Sequence, residues 1–474
     1  MNIPAEQHLR KGVVHLLSGS IIGRGLNFIL NLALSRALGP SALGIFSLIL
    51  TTAQTFELTA QVGIDYGVSC ALTGPGASKS RQEREKIAAT GIRFVGFTST
   101  LLAFALGVWI IHFDGLKLEN NEISRSLLAA GVVGISLLES LGSLPWVLFL
   151  IQGETRLVAL RQGLFAPARL LLALVGGWFS AATGAIVGYA IMSSIQFVWV
   201  SRQCNRLFSM SRLTFFGLRQ CWQLIRSGLP MYITNALAGL IFLPLLADVA
   251  SVAGIADVGY LRIGQMVVQL FTLLPGALAP LLFFKLRSSN KRQDQIQASA
   301  TSLRLIWCLG LVTLVIYLVI DHTIVRLLFG EVFLQSVQPT RVLVLCAVLD
   351  SASQVLHTPL LANRRTTLFT ISQNSGAAIA AILGFTLIPT QGISGYLVAK
   401  FAYSVIPISI YSIDYFKRIE NRSLIVQLLV ATSIITPACW QTSLTLQMQA
   451  LLITTTLSLA IYCSWPLRRL LKAS

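Results

Sequence analysis

This chain is short of charge. Asp, Glu, Lys and Arg make up 11% of its 474 residues, where a water-soluble protein carries about a quarter. Acid is scarcest, with 18 carboxylates against 36 basic side chains. Cysteine and histidine are sparse too. Cys70, Cys204, Cys221, Cys308, Cys346, Cys439 and Cys463 are scattered, with no CxxC and no Cys/His cluster. That pattern argues against a disulfide framework and against a metal site. His15, His112, His322 and His357 fall at or near the ends of apolar runs and have no ligand spacing. Also missing is any long polar segment. The longest connection, about 201–228, is basic and holds no acidic pair or nucleotide-binding motif. Catalytic chemistry of the glycosyltransferase or polymerase kind has no obvious home here, and no cofactor is expected.

What the chain has instead is apolar length. It is 54% hydrophobic with a mean hydropathy of +0.73, and its runs approach the roughly 20 residues needed to cross hydrocarbon. The runs are continuous rather than alternating, which indicates helices and not a barrel. The expected fold class is therefore all-α, a polytopic membrane protein of about 14 transmembrane helices. The first six spans are expected near 14–34, 42–68, 88–111, 126–150, 163–180 and 183–200. Six more are expected near 229–247, 258–284, 303–320, 338–361, 368–388 and 393–412, then a final pair near 424–440 and 447–465. The opening "MNIPAEQHLRKGVVHLLSGS" has the look of a signal peptide. Its apolar run contains Arg24 and continues for a full span, so it reads as a retained first helix.

The basic residues test this count. Arg10 and Lys11 precede the first span, and "KSRQEREK" (79–86) follows the second. Arg156 and Arg161 follow the fourth, and Arg202, Arg206, Arg212, Arg219 and Arg226 the sixth. The alternation persists through Lys285–Arg292, Arg364–Arg365, Lys417–Arg422 and Arg468–Lys472. Opposite loops carry acids such as Asp114, Glu119, Asp321 and Glu331. By the positive-inside rule both termini are cytoplasmic. The net charge of +18 thus reads as topology and contact with anionic membrane lipids, not as nucleic-acid binding.

Two segments echo each other. "RALGPSALGIFSL" (36–48) and "VAGIADVGYLRI" (252–263) align at an offset of 215, setting Gly39 opposite Gly254 and Gly44 opposite Gly259. The same offset pairs Gln54 with Gln269 and Phe56 with Phe271. Further on, "GAIVGYA" and "GISGYLV" pair Gly188–Tyr189 with Gly395–Tyr396 at an offset of 207. Echoes in the same order imply an internal repeat. Six spans separate equivalents, an even number, so the halves enter the membrane in the same sense. The organisation expected is a six-helix lobe over 1–200, a basic cytoplasmic linker over 201–228, a second lobe over 229–415 and an added helix pair over 416–474. Gly39 and Pro40 are expected to turn the chain between the first two spans, and Gly44 to allow close packing.

With "RALGPSALGIFSL", "SGLPMYITNALAG", "LLPGALAPLLFFK", "LLFGEVF" and "IPTQGISGYLVAK", the sequence resembles the Wzx-type polysaccharide-biosynthesis flippases. These belong to the multidrug/oligosaccharidyl-lipid/polysaccharide (MOP) exporter superfamily. The resemblance implies a two-lobed bundle in the bacterial inner membrane. It implies a flippase that moves undecaprenyl-diphosphate-linked oligosaccharide outward, alongside polysaccharide polymerase machinery. Within the superfamily the alternative is a cation-coupled multidrug exporter. A monomer is expected.

Such cargo needs a wet, cationic chamber, and an arginine inside a span is costly enough to mark one. Arg24, Arg169, Arg262 and Lys400 are the candidate substrate contacts, with Gln54 and Gln269 as candidate partners for sugar hydroxyls. Arg169 and Lys400 have the alternative of pairing with carboxylates. Arg93, nearer a span end, is expected to snorkel. Of the acids within spans, Glu57, Asp65 and Asp350 are candidates for H⁺ or Na⁺ coupling. Glu57 stands opposite Thr272 in the repeat, so that acid belongs to one half. An ion pair between Glu57 and Arg24 is the competing reading. Pro230, Pro244, Pro275 and Pro280 mark candidate kinks.

Overall fold

Apolar runs of this length cannot leave backbone N–H and C=O groups unpaired in lipid, so they fold as helices. The computed structural model describes residues 5–73, 80–113, 125–208, 217–272, 292–362 and 366–416, with 436, 437, 439 and 440. The described residues are helical almost throughout. In chain order they form α1 (Ala5–Gln61), α2 (Ile64–Leu72), α3 (Arg81–Phe113), α4 (Arg125–Ile151), α5 (Thr155–Leu160) and α6 (Ala166–Leu207). A π-turn, Arg161–Phe165, joins α5 to α6. Then come α7 (Leu218–Val252), α8 (Ile255–Phe271), α9 (Arg292–Leu328), α10 (Val337–Ala362), α11 (Thr366–Gln391) and α12 (Ile393–Phe416). Glu331–Ser336 is a short 3₁₀ turn before α10.

Each of the first twelve expected spans has a helical counterpart, the eighth within the described part of its range. The last two expected spans lie outside the described residues. Nine described helices are long and apolar enough to cross a membrane, and two of them bend sharply. Helix α1 turns at Gly39 (φ 72°, ψ 177°), with Pro40 restarting the helix. Helix α6 turns at Ser180–Ala181, between the expected fifth and sixth spans. The chain is a multi-pass membrane protein. Exposed Phe97, Leu101 and Phe104 line one stripe of α3, a face that suits lipid tails.

The expected second span, 42–68, is interrupted. Val62 (φ 47°) and Gly63 (φ 77°) break it before α2 begins. A break frees carbonyls that water cannot reach in the membrane. The Ala60 carbonyl accepts from Thr98 Oγ1 at 2.6 Å, and the Thr59 carbonyl from the Tyr232 hydroxyl at 3.3 Å. Pro230 and Pro244 lie inside α7, which stays helical across both. Pro275 and Pro280 fall outside the described residues.

The chain divides into two compact units, Met1–Gly259 and Tyr260–Ser474. In the first, α7 packs on α1 and α2, and α4 packs between α1, α3 and α6. Trp146, Phe149, Phe165 and Trp199 anchor its core, with the Trp146 and Trp199 rings stacked at 6.0 Å. In the second, α12 packs on α11 and α10, and α9 on α10.

The repeat has a physical basis. Gly39 and Gly254 both adopt left-handed backbone, φ 72° and 106°, a region that is costly for any residue with a Cβ. Five residues on, Gly44 and Gly259 let backbones touch. A Cβ on Gly44 would lie 2.0 Å from the Ile255 carbonyl oxygen, and one on Gly259 2.1 Å from that of Pro40. Each turn thus packs against the other's echo, within the first unit.

Candidate functional site

Among the described residues, each unit holds ion pairs between side chains of its helices. In the first unit they begin at the π-turn. A π-turn carries one extra residue per turn and is often found where a side chain is redirected for function. Here it holds Arg161 at the junction of α5 and α6, with its guanidinium 5.7 Å from the centre of the Trp146 ring. Arg161 Nη2 lies 3.6 Å from Glu57 Oε1 of α1. Neighbouring Arg169 of α6 is hydrogen-bonded to Glu139 of α4. Ser193 Oγ donates to the same Glu139 oxygen at 2.8 Å, and the Arg169 guanidinium also lies 5.3 Å from the Tyr189 ring centre. Glu57 feels all three other charges. Two arginines and two glutamates therefore share one neighbourhood among α1, α4, the π-turn and α6.

The two pairs differ in character. Arg169 and Glu139 side chains are 11% and 10% exposed, whereas Arg161 and Glu57 are 31% and 20% exposed. The first is a sealed pair, its glutamate oxygen held by both Arg169 and Ser193. The second is a looser one that opens onto accessible space.

The second unit carries Lys400 of α12 at 3.5 Å from Asp350 of α10, with the ammonium 4.7 Å from the Tyr403 ring centre. Deeper still, Arg341 at the start of α10 pairs with Asp321 of α9, both 2% exposed. The same Asp321 takes the His322 ring nitrogen at 2.8 Å.

The residues singled out from sequence are thus variously placed. Arg24 is exposed on α1, and its backbone neighbour Gly23 is pressed against the Gln162 carbonyl of the π-turn. Glu57 pairs with Arg161, not with Arg24 as the competing reading had it, because the π-turn brings Arg161 to α1. Arg169 and Lys400 both take carboxylate partners, each within its own unit. Asp350 is accordingly engaged by Lys400. Arg262 of α8 is half-buried, with Nη1 3.4 Å from Gln265 Oε1. Gln54 and Gln269, equivalent in the repeat, are both exposed on their helices. Asp65 sits in the first turn of α2, where a carboxylate suits the positive helix end. One of its oxygens is buried with no hydrogen-bond partner among the described residues.

Sequence reasoning placed Arg161 in a loop and did not single out Arg341. The "QGETR" break (152–156) masked the helix that starts at Thr155. No group of three or more His, Cys, Asp or Glu suited to a metal ion occurs among the described residues. A cavity of about 410 Å³ between α2, α3 and α7 is lined by Cys70, Glu83, Lys86, Gln220 and Gln223 among others. None of the residues nominated above borders it.

The described residues form a bent, all-helical bundle with charges collected inside it, and comparison with solved structures shows what that fold resembles. The chain is similar to the lipid II flippase MurJ in an inward closed conformation, with a TM-score of 0.71 at 13% identity over 97% of this chain and 99% of that one. It is also similar to an inward-facing multidrug resistance MATE transporter of the MOP superfamily, at 0.63 and 14% over 87% and 99%. A third similar structure is a MOP superfamily transporter from Pyrococcus furiosus whose binding pocket is described as reversed in polarity, at 0.57 and 12% over 88% and 99%. The fold is thus that of the MurJ and MATE transporters. No protein-family model matches the chain, and no curated protein matches its sequence.

Proposed function

We propose that this protein is a flippase for undecaprenyl-diphosphate-linked oligosaccharide, the repeat unit of an O-antigen, capsule or exopolysaccharide. It acts in the bacterial inner membrane by alternating access, with both termini cytoplasmic. The observation that carries this reading is the placement of arginine. Arg24 is exposed on α1, beside the π-turn that presents partly exposed Arg161. A guanidinium offers a phosphate two parallel N–H donors, a geometry that lysine lacks. The likeness to a lipid II flippase over nearly the full length of both chains supports the same reading.

In this scheme Arg24 and Arg262 are diphosphate contacts, and exposed Gln54 and Gln269 meet sugar hydroxyls. Glu57, Asp65 and Asp350 are the carboxylates open to H⁺ or Na⁺ coupling. The chain works as a monomer, hands its product to polysaccharide polymerase machinery, and performs no chemistry of its own.

The likeness to MATE transporters favours a second reading, export of hydrophobic cations. One experiment separates the two. Purified protein in proteoliposomes is supplied with a fluorescent undecaprenyl-diphosphate oligosaccharide or with ethidium. Leaflet exchange of the lipid without ethidium movement is the expected result. Ethidium extrusion with no lipid exchange establishes the second reading.

A further inference from the structure

Among the four charges clustered around the π-turn, one pair is sealed and one is loose. The Arg169–Glu139 pair is sealed, and its glutamate oxygen is also held by Ser193. Replacing either partner strands a buried charge. The Arg161–Glu57 pair has a single contact at 3.6 Å, longer than a charge-assisted hydrogen bond, and both side chains reach accessible space. A guanidinium so placed has donors to spare. Its ring contact with Trp146 orients the plane without using those donors.

From this contrast we infer that Arg161 is an anion-binding residue for a diphosphate group, and that Glu57 is the stand-in the diphosphate displaces. The inference rests on the flippase reading above and adds a residue and a competition to it. Glu57 neutralises Arg161 while the site is empty. An arriving phosphate offers two oxygens to the same guanidinium where the carboxylate offers one contact. The exchange leaves the sealed pair untouched, so the packing of α4 on α6 is the same before and after. Specificity follows from the competition. A lone carboxylate or a monoanion gains little over Glu57, whereas a diphosphate brings more charge and more acceptors. The repeat agrees, because the position equivalent to Glu57 is Thr272, whose hydroxyl is bonded to the Gln269 carbonyl of its own helix at 3.3 Å.

The test uses opposite signs. Full-length protein in nanodiscs is titrated with undecaprenyl diphosphate, undecaprenyl monophosphate and inorganic pyrophosphate. Glu57→Gln removes the competitor and is expected to tighten undecaprenyl diphosphate binding by about three- to fivefold. Arg161→Gln is expected to weaken it by about tenfold or more. Arg161→Lys keeps the charge, loses the fork, and is expected to fall between. The double variant is expected to match Arg161→Gln alone. A purely structural ion pair gives a different pattern: both single variants weaken binding together, and that result overturns the inference. An unchanged Kd in Arg161→Gln overturns it too. Should Arg161→Gln fail to give monodisperse protein, the opposed effects of Glu57→Gln and Arg161→Lys decide the matter. Pyrophosphate following the same order shows that the diphosphate is recognised without its lipid. The order appearing with the lipid alone shows that the polyprenyl chain is required to deliver it, and either supports the role of Arg161. Wild-type protein that binds none of the three probes overturns the flippase reading itself, and the inference with it.

Discussion

The two halves of this molecule solve one packing problem with different charges. The offset that aligns Gly188–Tyr189 with Gly395–Tyr396 sets Ser193 opposite Lys400. Ser193 donates a hydrogen bond to Glu139, and Lys400 pairs with Asp350. Each half therefore has an acid on one helix facing the same repeat position of another, next to the echoed tyrosine. In the first half the neutralising cation arrives separately, as Arg169. In the second it is the repeat residue itself. The lesson is that the bundle's frame is duplicated while its electrostatics are not. The first half also holds a second, looser pair, Arg161 with Glu57, and it is there that the proposed anionic ligand would compete.

The comparison breaks most visibly at the sealed pair. Arg169→Gln leaves Glu139 buried without its cation and is expected to cost about 3–5 kcal/mol of stability. Thermal unfolding in detergent reads this, and adding Glu139→Gln is expected to recover part of it. A next, smaller effect tests whether the echoed glycines are equivalent. Gly44→Val and Gly259→Val each force a side chain towards a carbonyl about 2 Å from its Cβ, an overpacking worth about 1–3 kcal/mol. Similar losses at both sites are expected. Gly25→Val, at a position where an added Cβ meets nothing within 4 Å, is the matched control. Smallest is Lys400→Met. Its ion pair spans 3.5 Å with side chains 24% and 34% exposed, so about 1 kcal/mol or less is expected. A Lys400→Met loss as large as that of Arg169→Gln would erase the distinction between the halves.

How much of this was legible without coordinates depends on the kind of signal. Periodicity and length located the helices, since an apolar run near 20 residues has few alternatives in lipid. Gly39–Pro40 announced a turn because left-handed backbone and a missing N–H both interrupt a helix. The equivalence of Gly44 and Gly259 was visible as an echo, although that each presses on the other's turn was not. Pairing was the harder matter. Nothing near Glu57 in sequence points to Arg161, 104 positions on, and the π-turn that brings them together leaves no compositional mark. The break at Val62–Gly63 was hidden inside a run long enough to read as one continuous span. Asp321 looked like a loop charge because it lies at a span end, yet it is sealed against Arg341 of the next helix.

The central claim is that α1 lines a hydrated chamber with positive potential in the first half of the molecule. Arg24→Cys, in a chain whose seven native cysteines are replaced by serine, tests this directly. Membrane-impermeant thiol reagents of opposite charge are applied from water to protein in nanodiscs. Labelling at position 24, faster with the anionic reagent than with the cationic one, is the expected result. A thiol that reacts with neither reagent, or prefers the cationic one, contradicts the account.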